Sequence, residues 1–374
     1  MKRCAVLFLI TLVLLLSLSL NGLDFPGQEN DSLQDTEDHK KVGFAVIPVA
    51  FYQPETKFGG GMVGLFSIRP NPSAENRRPS TVSLLMIYTQ LNQFNFHIQP
   101  EFYLKNESFL IKGEFVTKRF SYKFWGIGSE SPDEAEEDYI PRSTMLKLSL
   151  QREIIPSTSL YAGIQYQMEN YTILEKERGG ILDSGQVQGS LGNRISGLGF
   201  ILNWDTRDKI HFPTKGNFWQ LSSMFNRKSL GSDLDFSSLM LDLRTYRALF
   251  GSHVLAFQGL FYSVSGTPPF RHYPKMGGSN IMRGYYSGRY RDKNLAAVQA
   301  EYRLPVIWRF GLVGFAGLGG VSETLGGFQW KDFRYSFGVG LRFNIFPSDG
   351  TNLRVDFAFG ENSSGVYFTA LESF

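Results

Sequence analysis

The chain is poor in most of the residues that would mark a disulfide scaffold, a metal enzyme or a nucleic-acid binder. It has 1 cysteine in 374 residues, Cys4, so no disulfide framework can hold a small exported domain together. Its 5 histidines are dispersed, with His97, His211, His253 and His272 far apart, and no zinc-ligand spacing results. A formal net charge of +3 steers the chain to no polyanion, which excludes nucleic acid as a partner. There is no Gly-x-Ser-x-Gly elbow for a hydrolase nucleophile. The glycine-rich GFAGLGGV, residues 314 to 321, lacks the following helix that a nucleotide loop needs. Neither a catalytic residue nor a cofactor nor a metal is expected.

Long hydrophobic runs are also missing, with one exception from Ala5 to Leu20. It follows a basic Met1-Lys2-Arg3 and, at about 16 residues, falls short of the roughly 20 that a spanning helix requires. Residues 1–22 therefore read as a signal peptide, and Cys4 sits too early in it to take a lipid. Residues 23–42 are polar and acidic and read as a disordered leader. The whole chain has an aromatic content of 15%, with 33 Phe and 17 Tyr, and all of these but Phe8 and Phe25 fall in the remaining domain, 43–374, which must house them.

Period-two patterning supplies the place for those aromatics. In RYSFGVGLRFNI, Tyr335, Phe337, Val339, Leu341, Phe343 and Ile345 alternate with Arg334, Ser336, Gly338, Gly340, Arg342 and Asn344. Leu353, Val355, Phe357 and Phe359 repeat the pattern against Asn352, Arg354 and Asp356, as do Leu239, Leu241 and Leu243 against Asp242 and Arg244. These are strands with one apolar and one polar face. A soluble sandwich alternates too. Here, however, strands of about 10 residues recur without an amphipathic helix, and tight turns alternate with long connections. The tight turns fall at 105–107, 155–157 and 251–252, and the long connections at 119–140, 172–191, 265–293 and 321–332. The expected fold is all-β, a 16-stranded antiparallel transmembrane β-barrel, with apolar faces toward lipid and charged faces toward the lumen. Val366, Phe368, Ala370 and the terminal Phe374 would share the lipid face, with Glu372 as an odd charge on it.

Four stretches resemble the BamA/TamA-like bacterial surface antigen family of outer-membrane barrels. They are Gly197 to Leu221, with Asp205-Thr206-Arg207-Asp208 and then Pro213 and Gly216; Ile281-Met282-Arg283-Gly284-Tyr285; Ala300 to Val306; and FGVGLRF with LRVDFAFG and Phe374. The resemblance implies that external loop six folds into the lumen and that Arg283 meets a carboxylate on the inner wall. The family's usual acidic position is Gly317 here. Strand parity turns Asp356 and Glu301 inward, with Asp356 ranked first, because a lumenal guanidinium requires a paired, hydrogen-bonded partner. Such a pair either pins the loop alone or also serves turnover. In the Asp205–Asp208 turn, Asp can close the backbone and Arg207 can tie neighbouring carboxylates, a structural role. Phe374 would be the ending read by the outer-membrane barrel assembly machinery.

The same resemblance implies a barrel in the bacterial outer membrane, in contact with its lipid, that assists protein insertion or translocation. Relatives that do so carry soluble periplasmic repeats, and here only the short leader precedes the first strand. A separate periplasmic partner would then supply that module to a polypeptide substrate; the alternative is a passive pore, or a lipid-handling or structural barrel.

Overall fold

The computed structural model describes residues 42–53, 57–68, 78–346 and 351–374. The expected signal peptide, 1–22, and leader, 23–42, lie outside the described residues apart from Val42, which opens the first strand. In chain order the strands are β1 (Val42–Gln53), β2 (Lys57–Ile68), β3 (Ser80–Thr89), β4 (Phe94–Leu104), β5 (Phe109–Arg119), β6 (Tyr122–Phe124), β7 (Glu137–Ile155), β8 (Leu160–Lys176), β9 (Gly192–Asp205) and β10 (Gly216–Asn226). They continue as β11 (Phe236–Ala248), β12 (Val254–Gly266), β13 (Lys275–Met276), β14 (Tyr290–Arg291), β15 (Asn294–Ile307), β16 (Phe310–Ser322), β17 (Arg334–Phe346), β18 (Thr351–Gly360) and β19 (Ser363–Ala370). Apart from the short β6, β13 and β14, each strand pairs antiparallel with the next long one, from β1 with β2 through to β18 with β19.

Two strands run well past the length needed to cross a bilayer, β7 with 19 residues and β8 with 17. The register shifts between Ile140 and Pro141, where Pro cannot donate to the ladder, and the ribbon then continues in polar sequence toward Glu137 and Lys176, with β6 added on its flank.

The sheet is inverted relative to a soluble protein. Phe337, Val339 and Leu341 on β17 are 50%, 59% and 50% exposed, whereas Ser336 and Arg342 on the opposite face are buried. A face of this kind is stable only against hydrocarbon, and the polar face only against other polar groups. On the polar side lie Arg283, Arg291, Arg303, Arg354, Glu301 and Asp356, all buried. The segment 267–293 between β12 and β15, expected as loop six, packs against this polar face through Met276, Met282 and Tyr285 and carries the small β13–β14 ladder.

The C-terminal expectation is corrected at one point. β19 ends at Ala370, and Leu371 adopts φ +67°, the left-handed region, which turns the chain out of the strand. Val366 and Phe368 face outward, but Phe374 is buried against Tyr246 and Ala256 on the inner side. Glu372 likewise leaves the lipid face, accepting from Arg342 Nε at 2.8 Å and Asn352 Nδ2 at 2.8 Å.

Candidate functional site

The site is assembled on β15 to β18, and its floor is an aromatic ring. Glu301 on β15 stands opposite Phe315 on β16, which stands opposite Gly338 on β17. A Cβ at Gly338 would lie 2.5 Å from the Phe315 ring, so glycine lets that ring lie along the polar face of the sheet. The Arg283 guanidinium sits 3.5 Å from the ring centroid. Its Nη2 donates to Glu301 at 2.5 Å and its Nη1 to Asp356 at 2.7 Å. The two carboxylates that the sequence offers as alternatives are thus engaged together, one on each side of the stacked cation.

Each carboxylate has further partners. Arg303, two residues after Glu301 and on the same face, donates to it through Nε at 3.0 Å and Nη2 at 2.9 Å, while Ser373 Oγ donates at 2.8 Å. Asp356 accepts from Arg342 at 2.6 Å and from Arg354 at 3.2 Å. Ion pairs this deep are stable only when every lone pair is satisfied, and here each acid is shared by several guanidiniums.

The backbone around Arg283 is equally constrained. Met282 has φ +51° and Gly284 φ +108°. A Cβ on Gly284 would fall 2.7 Å from the Phe359 carbonyl carbon, so this position needs glycine for space as well as for φ. Met282 lies against Gly317 and Gly319, whose added Cβ atoms would meet its side chain at 3.2 and 3.1 Å. Gly317 therefore gives room to loop six instead of a charge. Tyr285 covers Gly360 and donates to the Tyr335 carbonyl at 2.9 Å. Tyr367 Oη receives Gly284 N–H at 3.0 Å and donates to the Tyr285 carbonyl at 3.0 Å. Ile281 packs at the edge of a buried cluster of Met276, Met282, Tyr285, Leu295, Ala297 and Val321.

The Asp205–Asp208 turn lies at the opposite end of the sheet, yet is connected to this site. Arg207 donates to Asp205 through Nε at 2.9 Å and Nη2 at 2.8 Å, and Arg78 lies 3.3 Å from the same carboxylate. Asp208 closes the return, accepting from Thr214 N at 2.9 Å and Lys215 N at 3.2 Å. Thr206 exchanges bonds with Asn217. Gly216, at φ +103°, approaches the Thr206 carbonyl too closely for any Cβ. Arg303 reaches from Glu301 to the Pro213 carbonyl at 3.4 Å and to the backbone oxygen of Phe374 at 2.9 Å. Loop six, the turn and the C-terminal segment thus meet through Arg303.

Sequence reasoning missed Arg303, Arg342, Arg354 and the Phe315 floor. Arg303 and Arg354 stand two positions from Glu301 and Asp356, so the parity that turned the acids inward applied equally to them. No group of three or more His, Cys, Asp or Glu among the described residues could hold a metal.

Comparison with known proteins follows the same lines. The family model described as the Omp85 superfamily domain matches residues 82–374. No curated protein matches the sequence. Among solved structures, BamA from Haemophilus ducreyi lacking POTRA domains 1–3 superposes with TM-score 0.55 at 13% identity, over 88% of this chain and 69% of that one. CdiB from Acinetobacter baumannii gives 0.54 at 14%, over 89% and 60%, and CdiB from Escherichia coli 0.55 at 9%, over 91% and 62%. This chain spans less than two thirds of either CdiB. At such identities the likeness is one of fold.

Proposed function

This chain belongs to the Omp85 superfamily, and from that premise we propose that it is a bacterial outer-membrane barrel assisting the insertion or translocation of polypeptides. In this reading the sixteen long strands close through a seam between β19 and β1, and loop six occupies the lumen. Outer-membrane lipid surrounds the apolar face, the barrel assembly machinery installs the chain, and a separate periplasmic partner delivers the substrate.

The observation that carries the reading is the anchor of loop six, Arg283 held between Glu301 and Asp356 over Phe315. A loop locked in this way obstructs a permanent channel. A passive pore has no use for a buried ionic lock across its lumen, whereas a barrel that passes chains through or sideways needs a resting state that does not leak.

The test is reconstitution. In liposomes containing the purified chain, an unfolded outer-membrane protein should fold into the bilayer faster than in empty liposomes. In planar bilayers the intact barrel should stay closed for most of the record. A stable open conductance together with no acceleration of folding would favour the passive pore and sink the proposal.

A further inference from the structure

Away from the Arg283 site, the root of loop six gathers cations for which the fold supplies too little negative charge. The loop descends through the turn Phe270–His272 and leaves through Arg291. Lys275 and Arg291 stand opposite each other in the β13–β14 ladder. A Cβ at Gly288 would lie 2.8 Å from Arg291 Nη2 and 3.5 Å from Lys275 Cδ, so the two side chains share one small space. The Arg271 side chain is 8% exposed. Its nearest carboxylate, Glu169, is 3.6 Å away and is already engaged by His272 at 2.9 Å. Arg271 Nε and Nη1 have no hydrogen-bond partner. Arg271 and Lys118 both approach the Tyr122 ring, at 5.9 and 5.5 Å. Arg291 uses backbone carbonyls of Gly288 and Lys123 in place of an acid.

Four basic side chains thus converge here, with Arg271 and Lys275 acting on Glu169 and with Arg291 and Lys118 neighbouring Lys275. Buried charge without a partner is costly, and the group either loses its proton or takes a counter-ion. Lys275 is held well below the ordinary lysine range, first by burial and then by the like charges of Arg291, Arg271 and Lys118.

We propose that the root of loop six is a binding site for a small tetrahedral oxyanion of the phosphate class, formed by Arg271, Lys275 and Arg291 with Lys118 on the facing wall. A tetrahedral oxyanion offers acceptors in several directions at once, which suits the unpartnered Nε and Nη1 of Arg271, the remaining Nη1 of Arg291 and the two lysine amines better than a planar carboxylate would. Lys275 and Lys118 are only half-buried, so the lumen gives access. The bound anion would neutralise the entry and exit of loop six and hold them together. This proposal is independent of the polypeptide-handling reading.

The experiment uses the full chain in detergent, with folding verified by heat-modifiability on gels, titrated with inorganic phosphate at constant ionic strength and followed by isothermal calorimetry. Saturable binding is expected, weakened on the order of tenfold in Lys275→Met and in Arg271→Gln. Lys331→Met, which alters an exposed cation paired with Glu130, should leave it unchanged. Should Arg271→Gln fail the folding check, Lys275→Met decides, since it removes an amine that makes no ion pair among the described residues. A short-chain phosphatidic acid micelle provides the second arm: competition with phosphate would assign the source as a lipid headgroup, and its failure to compete a free anion. Equal affinity in wild type and both variants would mean an adventitious ion only. That result, or no saturable binding by the folded wild type, overturns the proposal.

Discussion

Replacing Arg283 and replacing Asp356 should have different consequences, although the two groups share one bond. Arg283→Ala removes the 2.5 Å and 2.7 Å contacts of loop six and the stack on Phe315. Glu301, however, keeps Arg303 and Ser373, and Asp356 keeps Arg342 and Arg354. Neither acid is orphaned, so the penalty is the lost contacts themselves, about 1.5–3 kcal/mol for each charged hydrogen bond before compensation. Asp356→Asn is different. It leaves Arg283, Arg342 and Arg354 converging on a neutral amide, and breaking a buried network from its shared member costs about 3–5 kcal/mol. Arg283→Ala should therefore open loop six to trypsin while the gel shift on heating stays near wild type. Asp356→Asn should lower the urea midpoint of the whole barrel and keep loop six partly protected through Glu301. The double variant should cost less than the two single costs added together, because both delete the same bond. Wild-type trypsin resistance in Arg283→Ala, or strict additivity, would refute the argument.

Other outcomes follow from the same geometry. Gly284→Ala forces a Cβ into the Phe359 carbonyl at φ +108° and should cost about 1–3 kcal/mol, seen as loop-six proteolysis in a chain that still shifts on heating. Phe374→Ala empties a contact with Tyr246 and Ala256 and should lower stability by about 3–5 kcal/mol, read as a fall in urea midpoint. Arg207→Ala leaves Asp205 with Arg78 as its one paired cation beside the backbone N–H of residue 207, and should destabilise the turn, measured by faster hydrogen exchange at residues 206–215. The native protein should fractionate with the outer membrane, and recovery from the soluble periplasm would return the sandwich as the leading fold.

Strand identity was legible because it rests on alternation, and a two-residue period records which face each side chain takes. The outward exposure of Phe337, Val339 and Leu341 follows directly from it. The path of the last residues was not legible. The pattern places Phe374 outside only if the strand continues, and at the left-handed Leu371 the backbone N–H instead donates to the Asn352 carbonyl of β18, a contact made just past the end of β19. The partner of Arg283 lay between these cases. Parity identified both acids, but their shared use depends on the distance across β16 and β17, which no single strand encodes.

That distance explains how loop six is held although position 317 carries no acid. A carboxylate on β16 would meet the arginine from directly beneath. Here Gly317 admits Met282, and Phe315, one inward position away, supplies a π-face in its place. The charge is provided instead from β15 and β18, the strands beyond each side of the floor. Arg283, whose carbonyl also accepts from Ser336 Oγ on β17 at 2.6 Å, consequently ties together four strands rather than one, and Arg303 carries the tie on to Pro213 in the turn at the far end. A carboxylate restored by Gly317→Asp would therefore not simply add a bond. It would press on Met282 at about 3 Å and add a buried acid next to two that are already saturated. The expected outcome is a looser loop six, measured as trypsin cleavage within residues 267–293. Tighter protection in that variant would show that the divided anchor is a substitute for the single one and carries no advantage of its own.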